Sequence, residues 1–281
     1  VAFLREVQPD DDVRAFIKRL AGYGATGVIR EHVLPIHYGE GGNGKGVCSE
    51  ALLAALGDYA RQIPTDLLLT RNGEAHPTER ATLWGTRLAA ASELPSGRGL
   101  NEALVKQLTG GDTIAARFMG KDFFEFRPTH TLWVSTNHRP VIRESGNGIW
   151  RRVVLVPWTV TPPAPDTTLP NRVRDELPGV LRWIVERCLA WQREGLAPPA
   201  AVQAATAEYR DESDVLGQFL AERTTTEAEY QGATVRAPAG ALYKAYQAWC
   251  LAGGIRPETQ TAFGRALGLR GFAPHKAGGG T

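Results

Sequence analysis

Apolar positions fall along this chain in alternating helix-like and strand-like patterns. Over 10–20, acids open a segment in which Val13, Phe16, Ile17 and Leu20 recur on one helical face. The apolar run 32–37 reads as a strand ahead of a glycine cluster, and a helix over 47–56 stops at Gly57. A second helix over 78–84 is bounded by Pro77 and Gly85, and residues 87–91 form a strand ending at Ser92-Glu93. A helix over 102–108 is stopped by Gly110-Gly111, and 113–118 and 123–127 make two strands about Gly120-Lys121-Asp122. Strands over 131–135 and 153–156 follow, then a proline-rich loop, 162–170. One long amphipathic helix is expected over 172–193, a linker at Pro198-Pro199, a helix over 200–220, and a helix pair, 241–251 and 259–267, across a glycine turn. Strands alternating with helices predict an α/β fold with a mostly parallel sheet, and no repeat is seen.

Composition narrows the class. With 281 residues and 43% hydrophobic content the chain can build one large domain and one small one. Charged residues at 22% exclude wholesale disorder. Cys48, Cys188 and Cys250 lie far apart, with neither zinc-ligand spacing nor a disulfide framework, which points to a reducing cytoplasm. No apolar run of membrane-spanning length occurs, so no membrane partner is expected. No signal segment opens the chain, and Val1 is not a start methionine. The net charge of +2 is uneven: residues 231–281 carry six basic residues against Glu258 alone, a net +5. A small basic module of this kind suits nucleic-acid contact, although a merely solvated basic surface would look the same.

The glycine cluster carries the chemistry. Gly39, Glu40, Gly41, Gly42, Asn43, Gly44, Lys45, Gly46 and Val47 follow a strand and open a helix, with the spacing of a phosphate-binding loop. Glycines let backbone N–H groups turn inward around phosphate oxygens, the helix adds its positive end, and Lys45 reaches the outer phosphates. The hydroxyl residue that usually follows the lysine and holds magnesium is here Gly46. Beyond the next apolar strand, Glu93 stands where ligands bind in such sheets and suits a catalytic base. A further strand ends at Asn137, which could orient a water, and Arg151-Arg152 precede the last strand, where one guanidinium could reach a neighbouring subunit's phosphates.

Taken together and in order, these segments resemble the superfamily 3 helicases, in particular the phage and plasmid primase–helicase branch. The resemblance runs from about Phe16 to Trp158, through Gly39–Gly46, the run from His76 to Arg87, Ser92-Glu93, the stretch from Lys106 to Asp112, Arg117, Ser135-Thr136-Asn137 and Arg151-Arg152. It implies an AAA+-like P-loop domain over 31–197, after a helical lead-in over 1–30, assembled as a ring, a hexamer, with ATP and Mg²⁺ between subunits. It implies that Glu93 acts as Walker B acid and metal-side carboxylate, Asn137 as sensor, and Arg151 or Arg152 as a finger acting in trans. The family often has two adjacent acids where this chain has Ser92-Glu93. A primase domain before Val1 is implied as a partner, in the cytoplasm of a bacterial host.

Residues 198–281 resemble, less specifically, the winged-helix region that follows such motors. Arg265 and Arg270 would lie near DNA phosphates, while Tyr243, Tyr246, Trp249 and Phe263 build a small core. In the motor, Lys121 at the hairpin tip would grip single-stranded DNA, with Phe123 stacking a base. The leading expectation is an ATP-dependent DNA helicase at a replication fork. Gly46 and Ser92 favour the rival, a nucleotide-switched initiator with little or no unwinding. A protein-remodelling ATPase is the third possibility.

Overall fold

Strands that are apolar on both sides need cover on both faces, and four of the five strands of the central sheet have it, while the edge strand Ala60–Gln62 is largely exposed. The computed structural model describes residues 2–71, 77–144, 146–164, 166–225, 236–272 and 274; His76, Lys276 and the glycine-rich end 278–281 lie outside the described residues. In chain order the elements up to the division between the two units run α1 (Ala2–Val7), α2 (Asp11–Gly24), β1 (Leu34–Tyr38), α3 (Lys45–Leu56), β2 (Ala60–Gln62), α4 (Pro77–Ala81), β3 (Leu88–Ser92), α5 (Glu102–Thr109), β4 (Ile114–Ala116), β5 (Phe124–Phe126), β6 (Thr131–Thr136), α6 (Asn147–Trp150), β7 (Val153–Pro157), α7 (Leu169–Asp175), α8 (Leu177–Glu194) and α9 (Ala200–Ser213), within which the division falls. The sheet order is β2-β3-β6-β1-β7, and every pairing is parallel.

Alternation along each strand sorts the core into two layers. Leu88, Ala90, Trp133 and Val156 pack with α2, α3 and α8; Ala89, Ala91, Leu132, Val134 and Leu155 pack with α5 and the hairpin. The alanines of β3 are small enough for helices to close on both sides. β4 and β5 pair antiparallel, Ala115 opposite Glu125, so the expected hairpin is present. Its turn needs a left-handed residue, and Gly120, at φ 70°, supplies it.

Four helical boundaries differ from the apolar pattern. The run 172–193 breaks at Glu176 into α7 and α8, because Pro178 is tolerated in a helix's first turn but not in its interior. The proline-rich loop ends earlier than expected, with Leu169 and Pro170 in the first turn of α7. The run 200–220 breaks at Asp214, whose carboxylate accepts from the Gly217 amide at 3.0 Å and starts a new helix. Helix α4 is also shorter than predicted and passes into turns after Ala81.

The chain divides into Val1–Tyr209 and Arg210–Thr281. Pro198-Pro199 therefore lies inside the first unit, because Val202 and Tyr209 of α9 are buried in its core. The described residues of the second unit hold α10 (Val215–Arg223), α11 (Ala239–Ala252) and α12 (Gln260–Leu269), with no strand among them. Leu216, Phe219, Tyr246, Cys250 and Phe263 are its buried core, and Tyr243 and Trp249 pack against them. Among the described residues no helix is long and apolar enough to cross a membrane.

Candidate functional site

The turn from β1 into α3 is built around Lys45. Gly44, the residue that caps α3, sits at φ 85°, a conformation that favours glycine, and no side chain caps the helix. The first amides of a twelve-residue helix are thus left facing outward, an arrangement that suits an anion. Gly39 passes so near β7's end that a Cβ there would lie 2.1 Å from the Trp158 carbonyl oxygen. Asn43 ties the loop down, donating from Nδ2 to that oxygen at 3.0 Å and accepting from Lys45 Nζ at 2.8 Å. Lys45 Nζ also donates to the carbonyls of Gly39 and Glu40, at 2.7 and 2.9 Å, so all three of its protons are used within the loop. Burial pulls its pKa down, against the opposing pull of the Glu93 charge.

The floor is fixed by hydroxyls and rings. Ser49 Oγ donates to the Lys45 carbonyl, stands 2.9 Å from Ser135 Oγ, and accepts from Trp133 Nε1 at 3.1 Å, joining α3 to β6. His37, fully buried and stacked on Trp133, accepts from Trp158 Nε1 at 3.1 Å; burial pushes its pKa down to about 3, so it is a neutral packing group.

At the carboxyl ends of β3 and β6 the two polar residues singled out in the sequence meet. Asn137 Nδ2 donates to Glu93 Oε2 at 3.4 Å. Glu93 adopts φ 62°, rare for a residue with a side chain, and its amide donates to the Ser135 carbonyl. Such strain is held where neighbours over-determine it, as at many sites. A cavity of about 480 Å³ runs along this edge. Gly41 to Val47, Glu50, Ser92, Glu93, Ser135 and Asn137 line it, and so do Phe3, Glu6 and Val7 of α1 and residues between Pro162 and Arg172.

The last two groups were not foreseen. Helix α1 is brought in by Gln8, whose amide donates to the Pro157 carbonyl at 2.6 Å, and by Val7, which packs on Gly44. Neither contact leaves a local pattern in the sequence. The size of the cavity, in the range of small-ligand sites, and the outward amides fit a nucleotide. No group of three His, Cys, Asp or Glu able to hold a metal stands among the described residues. A magnesium ion carried on phosphates needs only one or two carboxylates, and Glu93 and Glu50 on the cavity wall meet that demand.

The other predicted residues lie elsewhere. Arg152 is buried, donating from Nε to Thr109 Oγ1 at 3.1 Å and from Nη1 to the Gly148 carbonyl at 2.7 Å. Arg151, next to it at the end of α6, is exposed. Lys121 and Phe123 are exposed on the hairpin, with the Arg117 guanidinium 5.0 Å from the Phe123 ring centre. Sequence reasoning missed Trp84, 59% exposed, which packs edge-on against Phe118 and Phe124 and widens the aromatic surface there. In the second unit Arg265 is exposed, while Arg270 is bonded to the Asp214 carboxylate.

Comparison with known proteins adds four likenesses. Residues 37–152 match a family described as one of unknown function, DUF5906. The chain is 30% identical to "Putative helicase 022R" of Frog virus 3 (isolate Goorha), over 88% of this chain and 30% of that protein. It is 27% identical to "Putative helicase L207/L206" of Acanthamoeba polyphaga mimivirus, over 78% of this chain and 25% of that protein. The chain thus spans less than a third of the length of these relatives. Among solved structures, the apo C-terminal region of NrS-1 superposes with a TM-score of 0.51 at 12% identity, over 82% of this chain and 59% of that one, a likeness of fold.

Proposed function

We propose that this chain is the ATP-driven motor part of a DNA helicase that works with a primase in phage, plasmid or viral replication. The observation that carries this reading is the meeting of three elements at one cavity: Lys45 at the start of α3, Glu93 after β3, and Asn137 after β6. The helicase names of the viral relatives point the same way. On this reading Lys45 exchanges its carbonyl partners for phosphate oxygens, joined by the first amides of α3. Glu93 accepts a proton from the attacking water, and Asn137 orients both. Glu93 and Glu50 would hold a magnesium ion, which when bound would neutralise phosphate charge. Arg151 of a neighbouring subunit completes the site in a ring, and the hairpin carrying Lys121 and Phe123 grips single-stranded DNA, with Arg265 on the second unit as a further phosphate contact.

The test is ATP turnover with and without single-stranded DNA. The wild-type chain is expected to turn over ATP faster with DNA. Lys45→Ala should lose binding. Glu93→Gln should bind ATP yet lose roughly 10²–10⁴-fold in rate, as removal of a general base does. Wild-type turnover by Glu93→Gln would overturn the assigned base. The second reading, a nucleotide-switched DNA-binding initiator, draws on Gly46 and Ser92. It expects ATP binding with no turnover under any condition.

A further inference from the structure

In a phosphate-binding loop of this kind the metal is ordinarily met by a hydroxyl after the lysine and by an acid on the neighbouring strand. This chain has Gly46 and Ser92 there. Gly46 is exposed in the first turn of α3, and a Cβ built on it would meet nothing within 4 Å. The space that a threonine would fill is therefore open toward the cavity. Glu50 lies four residues on, hence on the same face of α3. Helical side chains lean toward the helix's N-terminus and cover the turn before their own. Glu50 is exposed, and it lines the cavity together with Gly46, Lys45 and Glu93.

Charge supports the same conclusion. The charged side chains lining the cavity are Glu6, Glu50, Glu93 and Asp166 against Lys45 and Arg172, and Arg172 is bonded to Asp166. Lys45 thus stands against three carboxylates. A polyphosphate brings more negative charge to that wall, which is unfavourable unless a cation enters with it. A small divalent ion takes one or two carboxylates and completes its shell with phosphate oxygens and water.

We propose that Glu50 holds the divalent cation of a metal–nucleotide pair, in place of the hydroxyl that Gly46 lacks. The assignment rests on the nucleoside-triphosphate reading above. Titration calorimetry of ATP in EDTA and in excess Mg²⁺, with Mn²⁺ and ATP followed by electron paramagnetic resonance, tests both and tells them apart. Wild type is expected to bind ATP more tightly with Mg²⁺. Glu50→Gln should lose that gain and weaken Mn²⁺ binding by roughly tenfold or more, the scale on which even groups behind a ligand act. Its affinity in EDTA should be unchanged or higher, since one repelling carboxylate is gone, and its melting temperature should match wild type. Adding Gly46→Thr to Glu50→Gln should restore the gain from Mg²⁺. A Glu50→Gln chain that keeps the gain, or a double variant that does not recover it, overturns the assignment. If wild type binds no ATP in either buffer, the nucleotide reading itself fails.

Discussion

The two adjacent arginines differ in kind. In sequence, Arg151 and Arg152 are equivalent candidates for a finger, and nothing in a bare pair tells them apart. Burial does: Arg152 spends its donors on Thr109 and Gly148, joining α5 to the start of β7, and burial with the neighbouring Arg151 charge lowers its pKa. Arg151 stays outside. Arg152→Ala is therefore expected to destabilise the fold by about 1–3 kcal/mol, the cost of stranding buried partners, and to lower the melting temperature. Arg151→Ala should melt with wild type, bind ATP, and turn it over roughly 10³–10⁵-fold more slowly if it is the finger. Reversed results in paired melting and turnover assays would exchange the two roles. Residues with a fixed local geometry were legible, as Gly44 and Lys45 were, because a phosphate loop needs its spacing. Glu93 was legible as an acid at a strand end, but its left-handed backbone and its bond to Asn137 arise from the pairing of β3 with β6 and leave no local trace.

Elements were legible where a turn residue or a period enforced them. The strand-loop-helix at Lys45 and the β4–β5 hairpin followed from glycines and alternation. The breaks at Glu176 and Asp214 had signals, Pro178 and a capping acid, that the continuing apolar spacing concealed. The hairpin's partners were not legible, because Trp84 reaches Phe118 and Phe124 only through the fold. Lys121 at the tip is exposed and Phe123 beside it is 62% exposed, so both side chains are accessible, as the proposed grip on a strand of DNA requires. Lys121→Ala should keep basal ATP turnover near wild type, since the tip does not line the cavity. It should weaken single-strand binding alike for all sequences and lower the salt slope by roughly one per lost phosphate contact. An unwinding rate equal to wild type in Lys121→Ala would remove the hairpin from the DNA path and leave the nucleotide site as it stands.

At the scale of the whole molecule, the α/β class and parallel sheet could be read from alternation, whereas the division after Tyr209 could not, since it depends on which core receives α9. The cavity raises a question that one chain does not answer alone. The cations on its wall are Lys45 and Arg172, and Arg172 is bonded to Asp166. A further arginine for the outer phosphates would have to come from outside the cavity, and exposed Arg151, beyond its wall, could serve a neighbour's site. Head-to-tail contacts of that sort close into a ring where the rotation between subunits closes, as the proposed motor requires. Two inactive chains then complement each other. Lys45→Ala lacks the loop cation but keeps Arg151; Arg151→Ala keeps the loop and lacks the finger. In an equal mixture about a quarter of head-to-tail interfaces unite an intact loop with an intact arginine. Turnover should rise well above the sum of the separate variants, peak near equal proportions, and fall on dilution as the ring dissociates. Mixtures that stay at the sum at every ratio and concentration would mean that Arg151 does not act across an interface.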